Sequence, residues 1–470
     1  MAKDYKEIGF KCGLEIHQQL EGKKLFCNCP TEIRKEEPDF EIKRILRASA
    51  GETGAVDIAA LHELEKGKYF VYQGYENINC LVELDEEPPH EMNKGALKTA
   101  IQVAKLLNAD IVDTVQVMRK VVIDGSNVSG FQRTALIATN GYIEVNGKKI
   151  GIPTICLEED ACQAVERKKE YDTYNLSRLG IPLLEIVTDA TISNPEECKE
   201  VAAKLGMILR SVPGMKRGIG SIRQDVNLSV KDTARVEIKG FQEYKSIPKV
   251  MDIEIDRRLK LIKQGKKLES EVRGAKPNLS TEFQRPMPGA DRMYPETDTP
   301  PIKTEGIETE KIELIEEKAD KIKKLGLGSD LAAALSKIGK ADLLVRFAEK
   351  FSNVKPAFIA ETMLSLPKTI RRKHNIEINP TDEDFETLFS ELNNGKIVKE
   401  SVEDILKENQ PVKEVIEKYQ LMSDKELETK IKSIIKGQDI PFNALIGKVM
   451  GALKGKADPK KIIEILNKLK

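Results

Sequence analysis

Three stretches in the first half of the chain alternate between apolar and polar residues with a period of two, as strands with one buried face do. Phe10, Cys12, Leu14 and Ile16 fall on one side of the first, with Lys11, Gly13, Glu15 and His17 on the other. Ile222, Val226, Leu228 and Val230 repeat the pattern and leave Arg223, Asp225, Asn227 and Ser229 together. Val236 and Ile238 do so again, opposite Arg235, Glu237 and Lys239. The tetrapeptide Lys231-Asp-Thr-Ala234 is short enough to join the last two as a hairpin. A helix is predicted after Asn194, which can cap it, with Pro195 in the first turn and Glu197 three residues past the cap. Its apolar face is Val201, Leu205, Ile208, Leu209 and Val212.

Beyond about residue 302 the texture changes to long helical periods. Ile312, Ile315, Ala319 and Ile322 form one stripe, and residues 331–351 continue in the same period with a break near Gly339. Of 21 prolines, fifteen lie at or before Pro301, and the seam Tyr294-Pro-Glu-Thr-Asp-Thr-Pro-Pro301 cannot be regular helix. Polar segments at Asn393-Asn-Gly395 and Glu408-Asn-Gln-Pro411 mark a further linker. The reading is an α+β chain, with domains at 1–302, 303–405 and 406–470.

The chain has 470 residues, enough for two to four cores. Its 76 Lys+Arg balance 76 Asp+Glu, which excludes a protein that coats nucleic acid through bulk positive charge. Trp is absent and aromatics reach 5%, which disfavours a surface built on base stacking. No apolar run is long enough to span a membrane, and the first residues carry no apolar signal segment, so the expected location is the cytoplasm. Seven cysteines in so long a chain do not make a disulfide framework. The last forty residues hold nine Lys against three acidic residues, a local excess of positive charge.

The polar strand faces change this picture. Ser, Thr or Lys would satisfy a solvated face, yet these carry Glu15, His17, Asp225 and Glu237, with the pair Glu158-Glu159 elsewhere. Clustered carboxylates repel one another and tend to hold a cation; oxygen donors with one imidazole suit Mg²⁺, or Mn²⁺ in its place. Such ions bridge nucleotide phosphates, and Arg223 and Lys239 could neutralise the same oxygens. Taken singly, each feature has a plainer reading, since a Glu-X-His pair often faces water and Asp225 and Glu237 suit cross-strand ion pairs. Glu158 and Glu159 cannot both face one way on a strand. Cys27 and Cys29 are half of a zinc site without a second cysteine pair, so zinc is not expected. The loop Asp124-Gly-Ser-Asn-Val-Ser-Gly130 fits no phosphate fingerprint and reads as a turn.

Several motifs in order go further. Gly13-Leu-Glu-Ile-His-Gln-Gln-Leu20, Lys24-Leu-Phe-Cys-Asn-Cys29, Cys156-Leu-Glu-Glu-Asp160, Tyr174-Asn-Leu-Ser-Arg-Leu-Gly-Ile-Pro-Leu-Leu-Glu-Ile-Val187, Gly220-Ser-Ile-Arg-Gln-Asp-Val-Asn227 and Phe442-Asn-Ala-Leu-Ile-Gly-Lys-Val-Met450 together resemble the B/E subunits of tRNA-dependent amidotransferases. Met118-Arg-Lys-Val-Val-Ile-Asp-Gly-Ser-Asn127, Ser129-Gly-Phe-Gln-Arg-Thr134, Arg285-Pro-Met-Pro-Gly-Ala290 and Arg292-Met-Tyr-Pro-Glu-Thr-Asp298 favour the archaeal E branch.

The resemblance implies a mixed α/β cradle like that of glutamine synthetase, then a helical domain and a small helical tail. It implies ATP- and Mg²⁺-dependent phosphorylation of the glutamate on Glu-tRNA(Gln), followed by amidation to Gln-tRNA(Gln). Ammonia would come from an asparaginase-like D subunit, in a heterotetramer. Metal-lining and catalytic roles are carried to Glu15, His17, Glu158, Glu159, Asp225 and Glu237, with Glu15 or Glu158 as the proton acceptor. Arg119, Lys120, Arg223 and Lys239 are expected at phosphates, and Lys448, Lys454 and Lys456 at the tRNA backbone. E subunits normally insert a further domain between the cradle strands and the Arg-Pro-Met-Pro segment, and Glu271-Val-Arg-Gly-Ala-Lys-Pro-Asn-Leu-Ser-Thr281 leaves no room for it. Two other readings remain: an ATP-dependent amide ligase acting on a free small acid, and a tRNA-binding scaffold without catalysis.

Overall fold

In the computed structural model, which describes residues 3–241, 243–289, 292–436, 441–453, 457 and 459–469, the alternating segments form one large sheet. Lys11–Gln19 is its central strand, with Cys12, Leu14 and Ile16 almost wholly buried. It pairs antiparallel with Ile222–Ser229 on one side and Pro182–Val187 on the other. Beyond Ile222–Ser229 come Val236–Phe241, Glu271–Ala275 and Thr281–Pro286. Beyond Pro182–Val187 come Lys148–Glu159, Phe131–Val145, Val117–Val121 and Met293–Pro295. Most of these pairings are antiparallel; Val236–Phe241 with Glu271–Ala275 is parallel, which makes the sheet mixed.

Chain length constrains the shape of this sheet. Its two edge strands, Thr281–Pro286 and Met293–Pro295, are joined by only six intervening residues. Ten strands laid flat would set those edges roughly 43 Å apart at the usual inter-strand spacing. Seven residue steps reach at most about 25 Å. The sheet therefore curls until its edges lie within reach of this short strap, of which residues 287–289 and 292 are described.

The apolar face of the sheet is covered by helices. Lys94–Leu106 packs on Phe131–Val145, and Pro195–Ser211 packs on Lys11–Gln19 and on the helix Ile247–Lys263. The predicted helix starts as read: the Asn194 side chain accepts from the Glu197 amide at 2.9 Å, and Val201, Leu205, Ile208 and Leu209 are buried. The predicted hairpin forms too, with Lys231 and Asp232 in the left-handed region. A smaller sheet of Phe40–Arg44, Tyr69–Gly74, Tyr171–Asn175 and Gln163–Arg167 has its own apolar cluster around Phe70, Tyr72 and Tyr174. Glu271–Ala275 turns straight into Thr281–Pro286, with the Lys276 amide donating to the Ser280 carbonyl at 2.9 Å, so no inserted domain lies there.

The chain divides into two compact units, residues 1–312 and 313–470. Every strand described above belongs to the first. The second is helical, beginning with Ile315–Lys324, Ser329–Lys337 and Ala341–Lys350, the last two separated at Gly339 with φ +74°. Its buried apolar residues form two clusters, one from Ala319 to Ile416 and one from Leu427 to Leu466. The chain is thus α+β with a helical C-terminal region.

Candidate active site

The polar face of the curled sheet lines a cavity of about 1040 Å³. Register puts its side chains side by side. Glu15 lies opposite Asp225, His17 opposite Arg223 and Glu185, and Asn227 opposite Glu237. Farther along, Glu158 lies opposite Leu183 and Thr134, and Lys120 opposite Gln132. Each strand contributes alternate residues, so one face gathers charge from seven strands.

Two groups share Glu15. Carboxylate oxygens of Glu15, Asp225 and Glu237 all lie within 4.8 Å of one another, as do donor atoms of Glu15, His17 and Glu185. The first group offers only hard oxygen donors, a set that fits Mg²⁺ or Mn²⁺. The cations beside it already balance part of its charge. Lys239 Nζ lies 2.7 Å from Asp225 Oδ2 and 2.5 Å from Glu237 Oε1. His17 Nε2 lies 3.1 Å from Glu15 Oε1 and 3.4 Å from Glu185 Oε2. Burial alone would lower the His17 pKa, but these two carboxylates outweigh it and raise it to about 10. Burial likewise opposes the charge on Asp225, yet Lys239 and His17 hold its carboxyl below the usual range.

Glu158 sits apart from both groups. It accepts from Lys120 Nζ at 2.5 Å, Thr134 Oγ1 at 2.7 Å and Gln132 Nε2 at 3.1 Å. Arg223 does not reach the carboxylate group; it donates to Asp160 Oδ1 at 2.9 Å, with Arg178 3.8 Å from the other oxygen of that residue.

Of the residues expected at the site, Glu15, His17, Glu158, Asp225, Glu237, Lys120, Arg223 and Lys239 line this cavity. Glu159 and Arg119 do not. Glu159 is buried beside Arg133, 3.4 Å away, and Arg119 pairs with Glu296 at 2.5 Å and lies over the Phe131 ring. Each follows or precedes a cavity residue on the same strand, and adjacent residues of a strand point to opposite faces. Lys448 is exposed on the helix Phe442–Ala452, whereas Lys454 and Lys456 lie outside the described residues.

Sequence reasoning passed over Glu185, although Leu183, Glu185 and Val187 alternate in a quoted motif and share the cavity wall. It also passed over Gln132, Thr134, Arg285 and Arg292, which carry no local signal of their own. The zinc expectation needs correction in its premise. Cys27, Cys29, Cys80 and Glu83 bring their donor atoms within 4.8 Å of one another, so Cys80-Leu-Val-Glu83 stands where a second cysteine pair was sought. Three thiols and a carboxylate are a zinc-type donor set. Here Glu83 also holds the buried Lys24 ammonium at 2.6 Å.

Comparison with known proteins places these motifs in a lineage. The family model described as the GatB/GatE catalytic domain matches residues 10–310, and a second, the GatB domain, matches residues 345–469. The E subunit of glutamyl-tRNA(Gln) amidotransferase from Methanocaldococcus jannaschii is 36% identical, with 100% of this chain and 99% of that protein covered. The protein of the same name from Archaeoglobus fulgidus is 36% identical over 99% of this chain and 98% of its own length. That from Sulfurisphaera tokodaii is 34% identical, covering 99% of each. The first of these alignments runs over 625 positions against the 470 residues here, so the relative carries sequence that this chain lacks.

Proposed function

The chain belongs to the GatB/GatE family of amidotransferase subunits, and from that premise we infer that it carries out the conversion of Glu-tRNA(Gln) to Gln-tRNA(Gln) within an enzyme of several subunits. The observation that carries the chemistry is the convergence of Glu15, Asp225 and Glu237, with His17 and Glu185, on one face of the sheet. A γ-carboxylate is a poor acylating agent because oxide is a poor leaving group. Activation solves this: a carboxylate oxygen attacks the terminal phosphorus of ATP, and ADP leaves with the bridging electron pair. Ammonia then attacks the carbonyl carbon, the bond to the phosphate oxygen breaks, and the attacking nitrogen loses a proton.

Glu15, Asp225 and Glu237 would hold Mg²⁺, which when bound offsets negative charge on the phosphate oxygens. Lys120 and Lys239 add positive charge along the same wall, and His17 orients the Glu15 and Glu185 carboxylates. Glu158 stands outside the carboxylate group and is the better placed of the two proposed bases to take the proton from nitrogen. Supply of ammonia is assigned to an asparaginase-like D subunit, in a heterotetramer. The lysine-rich tail 406–470 is assigned to docking the tRNA, the residues 1–302 to catalysis, and the residues 303–405 to a helical domain. No helix among the described residues is long and apolar enough to cross a membrane, and a cytoplasmic setting suits a tRNA substrate.

The test is ATP hydrolysis by the assembled enzyme. Glu-tRNA(Gln) should stimulate it several-fold, and uncharged tRNA or free glutamate should not. Stimulation by free glutamate would favour a small-acid ligase, and tRNA binding without hydrolysis would favour a scaffold.

A further inference from the structure

The cationic side chains along the cavity wall differ in one respect. Lys120, Arg178, Arg223 and Lys239 each have a carboxylate partner within 4.0 Å, and Arg235 Nε donates to the Met287 sulfur at 2.7 Å. Arg285 and Arg292 also line the cavity, but among the described residues neither side chain makes an ion pair or a hydrogen bond. They stand at the two ends of the strap, Arg285 in the edge strand Thr281–Pro286 and Arg292 directly before Met293–Pro295. Burial and, after it, the Arg285 charge push the Arg292 pKa down, while Glu158, Asp57 and Glu185 pull it up. Arg292 lines the same cavity as Glu158 and Glu185. The carboxylates there are already engaged, by Lys120 at 2.5 Å and by His17 at 3.4 Å.

The strap is also pinned. The Met287 amide donates to the Ser270 carbonyl at 3.2 Å, and the Gly289 amide donates to Asp57 Oδ2 at 2.7 Å. Asp57 is itself fixed, because its Oδ1 caps the helix Ile58–Leu64 through the Ala59 amide at 2.9 Å. Past the strap, the Glu52 amide donates to the Met293 carbonyl at 3.2 Å. Two guanidinium groups thus line one partly dry cavity, and neither makes an ion pair among the described residues. Nearby carboxylates favour the charge on Arg292 without pairing with it, which leaves both guanidinium forks open to an incoming anion, and a phosphoryl group, with its several oxygens, matches such forks.

We propose that Arg285 and Arg292 clamp the phosphoryl group in transit between nucleotide and glutamate, so that these two side chains supply an anion site in the cavity that holds the carboxylate cluster. This rests on the ATP-dependent reading above. The clamp holds the terminal phosphate while the carboxylate oxygen bonds to phosphorus and ADP departs, and it then holds the same oxygens in the acyl phosphate. Binding is strongest where charge spreads over those oxygens, so the arginines act on turnover more than on tRNA affinity.

The test uses the assembled enzyme carrying Arg285→Gln or Arg292→Gln, with Arg285→Lys and Arg292→Lys as variants that keep the charge and lose the fork. Equilibrium binding of ATP and of ADP is measured without tRNA, Glu-tRNA(Gln) binding by filter retention, and stimulated ATP hydrolysis by phosphate release. In the Gln variants the preference for ATP over ADP should fall about tenfold and turnover about 100-fold. Glu-tRNA(Gln) binding should stay within about twofold of wild type, and the Lys variants should recover part of the ATP preference. Unchanged ATP preference overturns the clamp. Weakened tRNA binding with a shallower salt dependence and intact ATP preference also overturns it, placing a tRNA phosphate there instead. Failure of the wild type to hydrolyse ATP with Glu-tRNA(Gln) defeats the functional reading, while the ATP-to-ADP comparison still decides the clamp.

Discussion

Asp225 is nearly buried and yet charged, because Lys239 and His17 repay the desolvation of its carboxylate. Asp225→Asn should keep the side-chain shape and leave Lys239 paired with Glu237, so the fold should survive while amidation falls about 100-fold. A melting curve alongside a single-turnover assay checks both halves of that expectation. The pair Glu158 and Glu159 offers a sharper contrast within one dipeptide. Glu158→Gln should slow amidation more than ATP-dependent activation, if its carboxylate takes the proton from nitrogen. Glu159→Gln should leave both the chemistry and the stability near wild type, because burial works against the Glu159 charge and Arg133 keeps its bond to Glu296. Equal kinetic losses in the two variants would refute the assignment of faces.

At the scale of elements, the sheet separates two electrostatic regions. One side carries the cavity. The other buries Glu296, which accepts from Arg133 Nε at 2.7 Å and from Arg119 at 2.5 Å. Burial opposes the Glu296 charge, but Arg119, the Asp298 amide and Arg133 prevail and hold its pKa at about 2. A carboxyl held below its ordinary value stabilises the fold at neutral pH, and that contribution is lost as pH falls through the folded-state pKa. Glu296→Gln should therefore cost about 3 kcal/mol near neutrality, with the gap to wild type narrowing from about pH 4.5 down to about pH 2. Urea titrations at several pH values measure it, and a pH-independent gap would be the contrary result. The elements themselves were largely legible. Alternation at residues 10–17 and the Asn194 cap are local signals, and both segments formed as read. Glu185 was equally regular but sat in a segment rich in buried apolar residues, Leu183 and Leu184 among them, where one polar residue barely disturbs the pattern.

For the whole molecule, a neutral total conceals unlike parts. Residues 10–310 match the catalytic model and contain the carboxylate-lined cavity, whereas the last forty residues are lysine-rich. If the tail meets the tRNA backbone, Lys448→Glu should weaken tRNA binding and reduce the salt slope of the affinity by about one, with stimulated ATP hydrolysis at saturating tRNA preserved. Filter binding at several salt concentrations reads both quantities, and an unchanged slope would remove Lys448 from that surface.

What the sequence determined by itself was which residues share a face, because strand and helix periods are properties of the local backbone. It therefore placed Glu15 with His17, Arg223 with Asp225, and Glu237 with Lys239, and its motifs identified the lineage. Beyond the one predicted hairpin, it could not tell which strands lie side by side. The neighbours Glu15 and Asp225 are about two hundred residues apart in the chain, and strand order is set by long-range pairing. Only the tertiary structure set Glu185 beside His17, turned Glu159 and Arg119 away from the cavity, and joined Cys80 and Glu83 to Cys27 and Cys29. The strap is the clearest case. Arg285 and Arg292 are ordinary residues in a proline-rich stretch until the sheet curls and brings its two edges within their reach.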